Sequence, residues 1–194
     1  MSGTSSGGNG DSGRTTYVLV DGENIDATLG SSILARRPKP EERPRWDRVL
    51  EFARDEFGQP AVGLFFLAAN NELPMSFVQA LLALGYRPIP LSGGAHDKVV
   101  DIAIQRTLTE LTSRSADVIL ISNDGDFAPQ VEELLDGRRV GVAGFIEFRN
   151  SAFGEMRERG VEFFDLEYDV HAFRERLPRV RIIPIEEFDP VDFL

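Results

Sequence analysis

The sequence contains no cysteine, which excludes disulfides, zinc–thiolate sites and cysteine nucleophiles. Histidine is nearly as scarce. His96 and His171 are the only two, far apart in the chain, so a histidine-based acid–base mechanism has no support. Lysine occurs only at positions 39 and 98; the other basic residues are arginine. No apolar run is long enough to span a bilayer. The N-terminus (MSGTSSGGNGDSG) lacks the basic-then-apolar pattern of a secretion signal, and residues 1–14 read as a flexible polar leader. These absences set an expectation of a cytoplasmic protein with no membrane contact. No serine sits in a G-x-S-x-G context, which argues against a serine hydrolase. Gly93-Gly94 is not a Walker phosphate loop.

A surplus of positive charge is also missing. The net charge of −11 argues against a protein that coats nucleic acid generally. It leaves room for a nuclease with a local basic surface. Residues 36–54 supply one: Arg36, Arg37, Lys39, Arg43, Arg45, Arg48 and Arg54 outweigh four acids, a net of +3. Residues 151–194 hold eleven acids against six arginines, a net of −5. Charge is thus segregated along the chain.

The hydrophobic and charged fractions, 42% and 27%, fit a globular protein. At 194 residues the expectation is one domain over 15–166 and a C-terminal extension over 167–194. Strand and helix patterns alternate. Residues 15–20 (TTYVLV), 61–67 (AVGLFFL), 86–91, 117–122 (DVILIS), 140–145 and 161–165 read as strands. Residues 24–34, 46–57, 73–84, 95–111, 127–136 and 151–159 read as helices. The stretch 35–44, with Pro38, Pro40 and Pro44, reads as a loop. Repeated βα alternation predicts an α/β fold, a three-layer α/β/α sandwich with a mostly parallel central sheet. The extension ends in an acidic-aromatic tail (IEEFDPVDFL), available to pack on the domain, to form a homodimer, to meet a protein partner or to stay mobile.

Four aspartates carry the chemistry. Asp21 follows the first apolar strand in Asp21-Gly22-Glu23-Asn24. Asp124 and Asp126 follow another in Ser122-Asn123-Asp124-Gly125-Asp126. Parallel strands share a carboxyl edge, where open α/β sheets bind ligands. Asp101 lies on the helix between them, beside the apolar stripe Val100, Ile104, Leu108 and Leu111. A partly buried carboxylate there is costly unless paired, either with an arginine or with a shared metal. Converging carboxylates repel unless a cation intervenes, and hard oxygen ligands favour Mg²⁺ or Mn²⁺. Each acid also has a plainer reading. Asp21 suits a turn, and Asn24, Asp97 and Asp126 all stand where a helix N-cap is needed. Lys98 contacts a phosphodiester or is simply solvated. The arginine-rich segment is either an RNA guide or a salt-bridged face.

The chain resembles the NYN domain family, a branch of the PIN-like nucleases. The resemblance rests on residues 17–24 (YVLVDGEN), on Lys98-Val99-Val100-Asp101-Ile102, and on residues 117–131 (DVILISNDGDFAPQV), with support from residues 139–144 and 160–166. It departs where the family helix often bears a later aspartate: here Gln105-Arg106-Thr107 stands. The basic, Pro-rich insertion near residues 35–45 also has no clear counterpart. The resemblance implies a PIN-like fold and an Mg²⁺- or Mn²⁺-dependent ribonuclease, of the endonuclease kind. Asp21, Asp101, Asp124 and Asp126 would then hold metal. Asn24, Lys98, Ser122 and Asn123 would orient phosphate or water, and Arg36, Arg37, Lys39, Arg43 and Arg45 would guide RNA. Two alternatives stand beside it: a catalytically weak RNA-binding or protein-interaction module, and another acidic-cluster phosphotransfer enzyme such as a DNA nuclease or a phosphatase. Against an aspartyl-nucleophile phosphatase, the first strand ends in Asp-Gly-Glu-Asn rather than Asp-x-Asp.

Overall fold

A computed structural model describes residues 13–69, 73–94, 97–180 and 182–194. Six parallel strands form one sheet in the order β3-β2-β1-β4-β5-β6. They are β1 (Thr15–Asp21), β2 (Ala61–Ala68), β3 (Tyr86–Leu91), β4 (Ala116–Ile121), β5 (Val140–Gly144) and β6 (Val161–Asp165). The central strands are apolar along their length because both faces are covered. β4, for example, is buried at every position. The α/β expectation holds, with a sheet that is parallel throughout.

Each face has its own core. On one side α2 (Trp46–Phe57) and α3 (Met75–Ala83) pack with residues 166–177 over Val18, Val20, Phe65, Ile119 and Phe145. Trp46, Phe77 and Tyr86 meet Phe65 edge-on, an arrangement that suits the aromatic quadrupole. On the other side α4 (Val99–Leu111) and α5 (Ala128–Glu133) cover Leu19, Phe66, Val118, Leu120 and Val142. The α4 stripe of Val100, Ile104, Leu108 and Leu111 is buried as its 3.6-residue period requires.

Several helices are shorter than the sequence pattern predicts. The expected helix at 24–34 starts earlier, as α1 (Gly22–Ala27), then widens into a π-helical turn (Thr28–Leu34) closed by Ala35 at φ 52°. The helix expected at 127–136 begins as a 3₁₀ turn (Gly125–Phe127) before α5. The one expected at 151–159 is a 3₁₀ turn (Ser151–Phe153) followed by turns. Gly137 and Gly160, both at strongly positive φ, stop the last two segments. Among the described residues no helix is long and apolar enough to cross a membrane. The expectations for residues 1–12 and for His96 lie outside the described residues.

The edge strand β3 contains Pro88 and Pro90, paired in register with Phe65 and Leu67 of β2. Proline has no N–H to give a ladder, and an outer strand tolerates it.

Candidate metal centre

The chain leaves β1 toward β2 and β3 on one side and places β4, β5 and β6 on the other. The β1–β4 boundary is therefore the topological switch point, where the connecting loops part and leave a crevice. Register fixes which residues meet there. Val20 pairs with Ile121, so Asp21 and Ser122 emerge side by side. The Ser122 hydroxyl donates to Asp21 Oδ2 at 3.0 Å and accepts from the Asp124 N–H at 3.1 Å. One serine thus ties the first-strand carboxylate to the loop bearing the other two.

That loop is held rigidly. Asp124 Oδ1 accepts from the Asp126 N–H at 3.0 Å, so Asp124, not Asp126, caps the following turn. The Gln105 side chain donates to the Asp126 carbonyl at 3.2 Å. Gln105 belongs to the stretch where the family helix often carries a further acid, and it braces the cluster instead. Asn24 Oδ1 accepts from the Asn123 N–H at 2.8 Å; the α1 cap expected of Asn24 is made by Asp21, which accepts from the Asn24 N–H. The Asn123 amide bonds to the Phe145 backbone, donating at 2.7 Å and accepting at 3.1 Å. It fastens β4 to β5 through its side chain. A Cβ on Gly144 would lie 2.5 Å from that amide, so glycine is needed there. Asp97 also differs from expectation. It accepts from the Gly94 N–H at 2.6 Å and orders the loop, while the α4 cap position falls to Lys98.

Asp101, Asp124 and Asp126 each present a carboxylate oxygen within 4.8 Å of the others. Lys98 reaches two of them, at 3.5 Å from both Asp101 and Asp126. It answers the question raised by the half-buried Asp101, but leaves three acids against one base. Asp21, expected as a fourth ligand, is not within this group; it ends β1 and is 2% exposed. Burial pushes its pKa up to about 6, with repulsion from Asp101 and Asp124 adding to that, against the lowering effect of its hydrogen bonds from Asn24 and Ser122. The donor set is all oxygen, anionic and under-neutralised. It fits a hard divalent cation better than a soft one.

The basic segment behaves differently from a free guide. Arg36 pairs with Glu42, Arg43 with Asp26 and Arg45 with Asp47. Those arginines hold the 35–45 loop to itself, to α1 and to α2, so most of the expected RNA-guiding charge is internally matched. Lys39 donates its backbone N–H to Glu42. Arg37 is exposed and lines a groove of about 680 Å³ with Glu23, Asp26 and Arg36 beside α1.

A sheet of this order with an acidic cluster at its switch point is compatible with a nuclease-type α/β fold. The chain belongs to the NYN domain family, a PIN-like nuclease family, which it matches over residues 15–167. No curated protein matches it. Among solved structures it is similar to a protein of unknown function from Vibrio parahaemolyticus, with a TM-score of 0.64 and 18% identity, covering 83% of this chain and 98% of that one. At that identity the likeness concerns the fold.

Proposed function

We propose that the protein is a divalent-metal-dependent ribonuclease that hydrolyses RNA phosphodiester bonds internally. The observation that carries this reading is the close approach of Asp101, Asp124 and Asp126 at the switch point of a NYN domain. These three carboxylates would hold Mg²⁺ or Mn²⁺, with Asp21 adding negative charge from the end of β1. When bound, the ion supplies Lewis-acid polarisation of the scissile phosphate and a more acidic water.

The chain's own groups do the rest. Ser122 fixes the Asp21 carboxylate and the Asp124 backbone in one arrangement, so little reorganisation is needed when the substrate arrives. Lys98 stands over Asp101 and Asp126 and can exchange a carboxylate for a substrate phosphate. Gln105 and Asn24 keep the Asp124 loop in place. Arg37, beside the groove next to α1, supplies positive charge for an approaching strand.

The test is cleavage of labelled single-stranded and structured RNA with Mn²⁺, Mg²⁺ or EDTA. Cleavage should require the metal and be lost in Asp124→Asn and Asp101→Asn. Unchanged cleavage in both variants overturns the reading. RNA binding without any cleavage would favour the binding-module alternative, for which the Gln105 position is the motivating observation.

A further inference from the structure

Two arginines outside the acidic cluster share one aromatic ring. The Arg149 guanidinium lies 4.0 Å from the centroid of Phe163, and that of Arg157 lies 5.6 Å from the same centroid. Other arginines of this region are matched by carboxylates: Arg138 by Asp136, Arg139 by Glu162, Arg159 by Glu132 and Arg179 by Asp165. Among the described residues Arg149 and Arg157 form no ion pair and no side-chain hydrogen bond. Stacking on a ring satisfies the flat faces of a guanidinium but leaves its N–H edge open. Two such groups over one ring repel each other. Consistent with this, burial lowers the Arg149 pKa and the facing Arg157 lowers it further, with only partial relief from Asp165 and Asp169.

Their position gives the pair a purpose. Arg149 precedes Asn150, whose N–H donates to the Asn123 carbonyl at 3.2 Å. The Asn150 side chain lies against Gly125, so closely that a Cβ on that glycine would sit 2.4 Å from its amide carbon. Asn123 and Gly125 flank Asp124. The loop that carries Arg149 is therefore fastened directly to the loop that carries the carboxylates. A strand whose scissile phosphate lies at an anionic cluster needs positive charge for its next phosphates, and a fork of N–H groups suits phosphate oxygens.

We propose that Arg149 and Arg157, gathered about Phe163, clamp a further backbone phosphate of the RNA strand whose scissile phosphate lies at the Asp101–Asp124–Asp126 cluster. This rests on the ribonuclease reading and extends it. The substrate must carry more than one phosphate, and because arginines on phosphates do not read bases, the clamp is tolerant of sequence.

The test measures binding of a short fluorescent single-stranded RNA to the full chain in an Asp124→Asn background, at several salt concentrations. Adding Arg149→Gln and Arg157→Gln together should weaken Kd about tenfold, roughly the loss of one charge-assisted contact. It should also reduce the slope of log Kd against log salt by about 1.4, two phosphate-facing charges at about 0.7 each. Arg149→Lys should give an intermediate Kd, since it keeps charge without the fork. An unchanged Kd and slope in the double variant overturns the clamp. If that variant does not fold, Arg157→Gln alone, at an exposed position, should still lower the slope by about half as much, and no change there also overturns it. The two readings separate cleanly. RNA cleavage by the unsubstituted chain with unaltered binding in the variants sinks only the clamp. Weakened binding in the variants without any metal-dependent cleavage by the unsubstituted chain sinks only the ribonuclease reading.

Discussion

Two clusters of carboxylates lie in this domain, and they are built on opposite terms. At the end of β6, Asp165 is wholly buried, yet its oxygens accept from the Ile146, Glu167 and Tyr168 N–H groups and from Arg179. Arg179, itself 2% exposed along its side chain, also pairs with Glu147 and Glu167. These bonds hold the Asp165 carboxyl below its usual pKa despite burial. At the end of β1, Asp21 is almost as buried but has two donors and acidic neighbours, and its pKa rises to about 6. The first cluster is a clasp that fastens the C-terminal segment to the sheet. The second is left short of positive charge, which the proposed cation would supply.

Removing the partner from the clasp should have the largest effect. Arg179→Met strands Asp165 and Glu147 and should cost about 3–5 kcal/mol, read as a lower urea midpoint. An unaltered midpoint would erase the distinction between the clusters. The opposite substitution, Asp124→Asn in the open cluster, should lower RNA cleavage by about 10²–10³, the scale for loss of one preorganised electrostatic group. Its melting temperature in EDTA should stay at or above that of the unsubstituted chain.

The pH response should separate the clusters by sign. A folded-state pKa below the unfolded value, as for Asp165, gives stability that is present above the unfolded pKa and lost as pH falls through the folded one. A raised pKa, as for Asp21, gives the reverse: its contribution is complete below about 3.8 and lost as pH rises through about 6. Metal-free Asp21→Asn should therefore melt higher than the unsubstituted chain at pH 8, by up to about 3 kcal/mol for a shift of this size, and the two should converge near pH 4. A constant difference across that range would mean Asp21 is not the group responsible. Mn²⁺ at about a hundred times its Kd should stabilise the unsubstituted chain by about 2.7 kcal/mol and Asp124→Asn hardly at all, by thermal shift. The smallest effect belongs to Lys98→Met. Its side chain is 70% exposed, so losing it should tighten Mn²⁺ only a few-fold by titration calorimetry, as suits an exposed pair.

The open cluster was far more legible in the sequence than the clasp. Asp124 and Asp126 follow an apolar strand within a few residues, and Asp101 interrupts the edge of a helical stripe, so local pattern alone singled them out. Lys98 was visible as a neighbour, but its double pairing depends on how α4 approaches the Asp124 loop. Arg179 lies in an arginine-rich run (RERLPRVR) where nothing local distinguishes it, and its three carboxylate partners are spread over residues 147–167. Arg149 and Arg157 escaped notice for the same reason, since they lie in a loop and a turn and the ring that unites them is on β6. Asn123 was expected, on the family resemblance, to orient phosphate or water along with Asn24 and Ser122. The alternation of a strand end turns its side chain toward β5. Helix lengths failed where 3₁₀ and π turns replaced α turns, since the apolar spacing over one turn scarcely differs among them.

The two prolines of β3 bear on how the molecule behaves in a crowd. With Phe65 and Leu67 as their register partners, Pro88 and Pro90 alternate with the residues that bond to β2, so the rim of the sheet offers no amide hydrogen at either site. A stray extended peptide would find carbonyls to meet but no donor at those two positions. That rim is sealed against self-templated growth by two missing hydrogens, with no covering helix required.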